Sequence, residues 1–293
     1  MPRNHRHRAG LLPWIILLWL LGFGARGVGI GGADAGENAP PAPPSPPPEP
    51  TPTPLIGIII DDLGYRLTEG IRSIELPGPV TFSIIPHTPH AKRLSELAHG
   101  RGKEIMVHIP MESHGDHYLE PRGLTTRMTR AELFENVHAG LASLPHARGL
   151  NNHMGSLLTS RLEPMRWLME AILEYDDGLY FVDSRTTAET VAMKTARQYE
   201  IPSLERDVFL DHVPKADAIL IQFLRMIEKA RTRGTALGIG HPYSETLDLL
   251  DDVLSRVREW GVILVPVSVL LAERVRLRQR LAGGEEETGM GEK

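Results

Sequence analysis

From residue 55 onward, short apolar runs alternate with longer stretches in which apolar side chains recur every three or four positions. The runs predict strands at 56–60, 80–85, 104–108, 149–151, 179–182, 202–204, 236–239 and 262–265. The first is the most uniform. In LIGIIIDD (55–62) five of the first six residues are aliphatic, the pattern of a strand buried on both faces, and two adjacent carboxylates follow at once. Between the strands, Ala91, Leu94, Leu97 and Ala98 mark one helix. Thr129 and Glu132 form a capping box for another, whose apolar face carries Leu133, Phe134, Val137, Leu141 and Leu144. A helix opened by Pro164 follows, then long helices over 218–231 and 246–260 and a last basic helix. Seven or eight β–α units of ~25–35 residues predict an α/β fold, an irregular (β/α) barrel of about seven strands in one domain.

The 293 residues do not all fit that domain. Arg3, Arg6 and Arg8 precede a 15-residue apolar run (11–25), so 1–36 reads as a signal peptide or an N-terminal membrane anchor. The run falls short of the ~20 residues of a full span. Residues 37–54 are more than half proline and read as an extended, disordered linker. The domain occupies 55–280, and the glycine-rich, acidic stretch 281–293 reads as a disordered tail. Export to the periplasm, free or anchored in the inner membrane, fits this order, with the membrane touched only through the N-terminal segment. Cysteine is absent, which excludes disulfides, thiolate metal sites and a catalytic thiol. The net charge of −5 and the lack of a basic aromatic patch argue against nucleic acid. Neither a G-x-G-x-x-G after the first strand nor a phosphate-binding G-x-x-x-x-G-K-[ST] is present, so nucleotide binding is not expected.

The chemistry collects at the carboxyl ends of the predicted strands, where barrels keep their active sites. The ends carry Asp61 and Asp62, then His87, then His108 with Glu112, then Asn152 and His153, then Asp183 and Arg185, then Arg206 and Asp207, and finally His241. Two neighbouring acids repel each other unless a proton or a cation sits between them. His108 and His153 lie between an apolar strand and a tight turn, where a buried imidazole must find a partner. Imidazoles and carboxylates converging on one mouth suit a divalent metal with an open position, zinc foremost, with iron, cobalt and manganese compatible with the same donors. The remaining histidines lie in polar loops or on helix faces, and a structural ion pair is the plain alternative for Arg206 and Asp207.

The order of IIIDDLG (58–64), HIPME (108–112), NNHMGS (151–156), FVDS (181–184), RDVFLD (206–211) and IGHP (239–242) resembles the divergent polysaccharide deacetylases, relatives of the NodB-type carbohydrate esterases. The resemblance spans 55–272 and implies an irregular barrel of seven strands. It also implies that Asp61 is the catalytic base, that Asp62 and His108 are metal ligands, and that His241 is the general acid, oriented or charged by Asp183. Two departures stand out. The second motif ends in Glu112 where relatives carry histidine, and the third reads Asn152-His153-Met154-Gly155 in place of an Arg-Pro-Pro-Tyr-like run. The missing imidazole is then expected from His153, with Glu112 as the fallback ligand. Arg185 or Arg206 could hold Asp61 or Asp207 by paired hydrogen bonds. The implied activity is metal-assisted removal of N- or O-acetyl groups from an envelope glycan. A non-catalytic glycan-binding or scaffold protein that keeps the metal is the rival reading.

Overall fold

The computed structural model describes residues 52–288. The expected signal or anchor, and most of the linker, lie outside that range. Among the described residues, no helix is long and apolar enough to cross a membrane.

Nine strands form one sheet: β1 (Leu55–Leu63), β2 (Thr81–Ile84), β3 (Glu104–Met111), β4 (Ala147–Met154), β5 (Tyr180–Asp183), β6 (Ser203–Glu205), β7 (Val208–Phe209), β8 (Thr235–Gly240) and β9 (Ile263–Leu264). Eight helices connect and follow them: α1 (Leu67–Ile74), α2 (Ala91–Gly100), α3 (Arg130–Ser143), α4 (Leu162–Tyr175), α5 (Ala192–Gln198), α6 (Ala216–Arg233), α7 (Ser244–Leu254) and α8 (Val267–Thr288). The strand order is β6-β5-β4-β3-β2-β1-β8-β7, with β9 beside β1 and every strand pairing parallel. The sheet is a curled half-barrel with helices packed on it. Seven of its strands have three residues or more, the number the resemblance implies; β7 and β9 are two-residue additions.

The aliphatic run at 55–60 forms β1, with Ile56, Ile58, Ile59 and Ile60 all fully buried. Complete burial of such a side chain is worth about 1.5–3 kcal/mol. Its two faces enter different layers. Ile58 and Ile60 belong to the large cluster between sheet and helices, whereas Ile59 joins Met106, Val182, Leu237 and Ile239 inside the curl. Gly57 interrupts the run because α8 packs there: a Cβ would lie 2.9 Å from Leu270 Cδ2. The capping box at Thr129 and Glu132 starts α3 as its sequence predicts.

Elsewhere the elements differ from expectation. β1, β3 and β4 run three residues past their expected ends, so Asp61, Asp62 and His153 stand within strands and not in loops beyond them, and His108 is interior to its strand instead of ending it. The helix expected over 246–260 is α7, followed by a separate 3-10 turn at Val257–Trp260. α8 continues to Thr288, into the stretch expected to lack structure.

The two outer strands, β6 and β7, are separated only by Arg206 and Asp207. Arg206 donates from Nε to Ser184 O (2.6 Å) and from Nη2 to Arg185 O (2.8 Å), reaching back to the end of β5. Asp207 Oδ2 accepts from Leu237 N of β8 (2.8 Å) and from Arg274 of α8. The two side chains thus tie opposite edges of the sheet across its seam. The expected pairing of the two with each other, or of Arg206 with Asp61, is not formed: Arg206 binds backbone carbonyls, and Asp207 binds a backbone amide and Arg274.

In β4, a Cβ on Gly149 would lie 2.6 Å from the carbonyl oxygen of Tyr180 on the next strand. Backbone cannot yield as a side-chain tip can. Gly149→Ala should therefore lower unfolding free energy by about 1–3 kcal/mol in urea titration, through overpacking.

Candidate metal centre

Residue parity explains which side chains reach the mouth of the curl. Successive strand residues face opposite sides. Ile59, Met106, Leu237 and Ile239 face inward, so Asp61, His108 and His241 do too, as do Asn151 and His153 on β4, opposite His108 and Pro110. Asp62 should face the helices. It does not, because its backbone takes the left-handed conformation (φ 60°) and the β1–β2 register slips between Ile60 and Leu63. This bulge swings the second carboxylate to the same side as the first.

Asp62 Oδ1 then lies 3.1 Å from His108 Nε2 and 2.8 Å from His153 Nδ1, and those two nitrogens are 3.2 Å apart. Among the described residues, Asp62, His108 and His153 are the one group whose donor atoms converge in this way, all within 4.8 Å. A tetrahedral zinc with bonds of ~2.0–2.1 Å needs donors roughly 3.3 Å apart. The donor types, their number and their spacing fit a divalent cation. The protein places its protons accordingly. Burial raises the Asp62 carboxyl, but contacts with His108 and His153 outweigh it and hold the group far below the carboxylate range. Burial lowers His153, but Asp62 and Glu120 outweigh that and push it up to about 10.

The flanking groups are anchored separately. Asn151, with no exposure, accepts at Oδ1 from Ser83 Oγ (2.6 Å) and from His108 Nδ1 (2.7 Å), and donates from Nδ2 to Asp61 Oδ1 (2.8 Å). One amide thereby leaves His108 Nε2 free to ligate and fixes Asp61, whose Oδ2 is 3.7 Å from that nitrogen. On the other side, His241 Nδ1 donates to Asp211 Oδ1 (2.9 Å), and Asp211 Oδ2 also accepts from His241 N (2.6 Å) and Thr246 Oγ1 (2.8 Å). His241 Nε2 then faces the site, 3.8 Å from Asp62 Oδ2. Burial lowers its pKa, but the Asp211 hydrogen bond and the nearby acids raise it on balance. The cleft over these groups holds about 490 Å³ and is also bordered by Met154, Thr186, Phe209 and His212.

Several expected residues stand elsewhere. Asp183 does not meet His241. It shares the outward parity of Phe181, is fully buried, and accepts from Arg185 N (2.8 Å) and Thr190 Oγ1 (2.9 Å). Asp211 takes the role given to it. Glu112 stands outside the convergent group: its Oε2 accepts from Thr126 N (2.6 Å) and Thr126 Oγ1 (2.7 Å), closing the loop after β3. Arg185 pairs with Glu205 (2.7 Å), not with Asp61. Asn152 links strand ends, accepting from Ser184 N (2.8 Å) and donating to Met154 O (2.7 Å). His87 is exposed on its turn. The sequence reading passed over Asn151, Asp211 and Glu120. Parity was the available signal for Asn151, which lies two residues before His153.

Residues 58–271 match the family of divergent polysaccharide deacetylases. The chain belongs to that family. Escherichia coli K12 YibQ is 34% identical over 218 residues, covering 74% of this chain and 67% of that protein. A Haemophilus influenzae protein is 35% identical over 204 residues, covering 70% and 72%. A crystal structure from Agrobacterium tumefaciens C58 superposes with a TM-score of 0.72 at 23% identity, over 76% of this chain and 92% of that one, and so shares its fold. Within this family member, the second imidazole beside Asp62 comes from β4 and not from the β3 motif that ends in Glu112.

Two outcomes follow for this cluster. His153→Ala should weaken zinc binding by more than ~100-fold, beyond what outer contacts usually contribute, while Glu112→Gln should retain it; chelator competition measures both. Zinc must also displace the proton on His153. Affinity should therefore rise about tenfold per pH unit across the neutral range, and calorimetry in buffers of different ionisation enthalpy should record one proton released. Without metal the sign reverses. The raised pKa of His153 stabilises the fold fully below about 6.5 and is lost as pH rises towards about 10, so wild type should converge on His153→Gln in stability over that window.

Proposed function

We propose that this protein is a metal-dependent hydrolase that removes acetyl groups from an envelope glycan. The observation that supports it most is the pairing of two separately anchored proton carriers, Asp61 and His241, on either side of the Asp62–His108–His153 cluster. Asp62, His108 and His153 would hold the cation. Bound there, a divalent ion such as zinc supplies Lewis acidity and brings a water's pKa towards neutrality.

The chain's own residues supply the rest. Asp61, with one oxygen fixed by Asn151, keeps its other oxygen free to accept the proton of a water attacking the acetyl carbonyl. His241, its Nδ1–H held by Asp211, turns Nε2 into the same cleft, where a proton on that nitrogen would meet the leaving group. It delivers that proton to the departing amine or alkoxide, so that an amide or ester bond breaks and acetate leaves. Asp211 steadies the imidazolium electrostatically: burial lowers the His241 pKa, but the Asp211 hydrogen bond and the nearby acids raise it on balance, which favours the acid form.

The substrate is proposed to be an acetylated saccharide because the family acts on polysaccharides. The exported N-terminal pattern points to the periplasm, where peptidoglycan is the abundant N-acetylated polymer.

Acetate release from acetylated glucosamine oligomers and peptidoglycan fragments is the test, with metal content determined in parallel. Asp61→Asn should lower kcat by ~10²–10⁴ while retaining zinc. His241→Ala should fall similarly, and Asp211→Asn by less. A zinc-loaded wild type that releases no acetate from any of these would favour a glycan-binding protein that keeps its metal. Release that survives Asp61→Asn would remove the assigned base.

A further inference from the structure

The loop between β3 and α3 leaves the sheet at Glu112 and comes back to it at Leu124. Leu124 N donates to Pro110 O (2.8 Å) and Glu112 N to Leu124 O (2.9 Å), and the Glu112 carboxylate closes the base on Thr126. Just before that return, Gly123 N donates to Glu120 O (2.9 Å), with Pro121 next and Arg122 left-handed (φ 64°), the pattern of a type II turn. Proline restrains the residue before it to extended backbone. Gly123 has no room for a side chain, since a Cβ would lie 2.4 Å from Leu119 Cγ. The loop is thus built to hold one residue, Glu120, in one place.

That place is the back of His153. Glu120 Oε1 is 3.5 Å from His153 Nε2, its side chain is only 10% exposed, and its Oε2 is buried with no hydrogen-bond partner. Burying a carboxylate is costly and is seldom repaid by a single ion pair. The His153 ring stands between Glu120 and the nitrogen that faces Asp62, so the acid cannot join the same set of donors. His108 has the matching arrangement, with Asn151 holding the nitrogen that points away from the site.

We propose that Glu120 is a positioning residue of the metal centre. By holding Nε2–H of His153 it presents Nδ1 to the cation, and it makes the loop after β3 part of the site's affinity. Glu112, at the ligand position of relatives' second motif, serves here to close the loop that supplies this acid. This rests on the reading that Asp62, His108 and His153 bind a metal.

The experiment uses the full-length chain, with zinc as the probe. Zinc affinity is measured by chelator competition for wild type, Glu120→Ala and Glu120→Gln, and the ring nitrogen that binds is read from long-range histidine ¹⁵N spectra of the zinc-loaded proteins. Glu120→Ala should bind zinc ~10–100-fold more weakly, with His153 divided between Nδ1 and Nε2 coordination. Glu120→Gln, whose amide oxygen still accepts, should recover most of the affinity and pure Nδ1 coordination. If wild type binds zinc and Glu120→Ala matches it within twofold with His153 still on Nδ1, this inference alone is overturned. A wild type that binds no zinc overturns the metal reading and this inference with it.

Discussion

The site depends on one backbone constraint, the left-handed turn of Asp62. Two adjacent residues of an ordinary strand cannot share a face, and Asp61 and Asp62 must do so if one is to handle protons while its neighbour handles a cation. A non-glycine residue in this conformation costs on the order of 1–3 kcal/mol and persists only where its surroundings impose it. Here they do. β1 is fixed along its aliphatic run by β2, β8 and β9, and the bulge falls where the ladder to β2 slips. Met154 and Arg185, at the ends of β4 and β5, are left-handed as well, so the rim of the curl bends its strands at three points.

Around that turn the polar groups are buried in dependent order. Asn151 is the clearest case, because one amide serves the imidazole of His108, the carboxylate of Asp61 and the hydroxyl of Ser83 together. A buried network of this kind is rigid when complete and expensive when broken. It couples His108 to Asp61 within a single rotamer. The Asp211–His241 unit is independent of it, lying on the far side of β1 along β8.

Much of this was legible in the sequence, and the limits have physical reasons. The apolar runs located the strands, the capping box located α3, and the acids and histidines at strand ends located the mouth. Strand ends were set too early because Asp, Asn and His look like loop residues, whereas backbone pairing continues through them wherever their side chains find partners. Asp183 was assigned inward because it ends a strand, although its parity with Phe181 turns it to the helices. Asp211 was hidden in the loop beyond β7, and only the pairing of β7 with β8 brings it beside His241. Glu120 left no periodic signal, since a turn held by proline and glycine carries it.

The seam between β6 and β7 has a consequence for how the chain survives outside its own fold. A sheet that does not close on itself keeps two borders, and unpaired borders are templates for foreign strands. Here both borders are two or three residues long, they follow each other in the chain, and Arg206 and Asp207 occupy neighbouring backbone groups with charged side chains. An invading strand would find almost no ladder to extend. The opening that lets the barrel depart from regularity is thereby kept from becoming a point of aggregation.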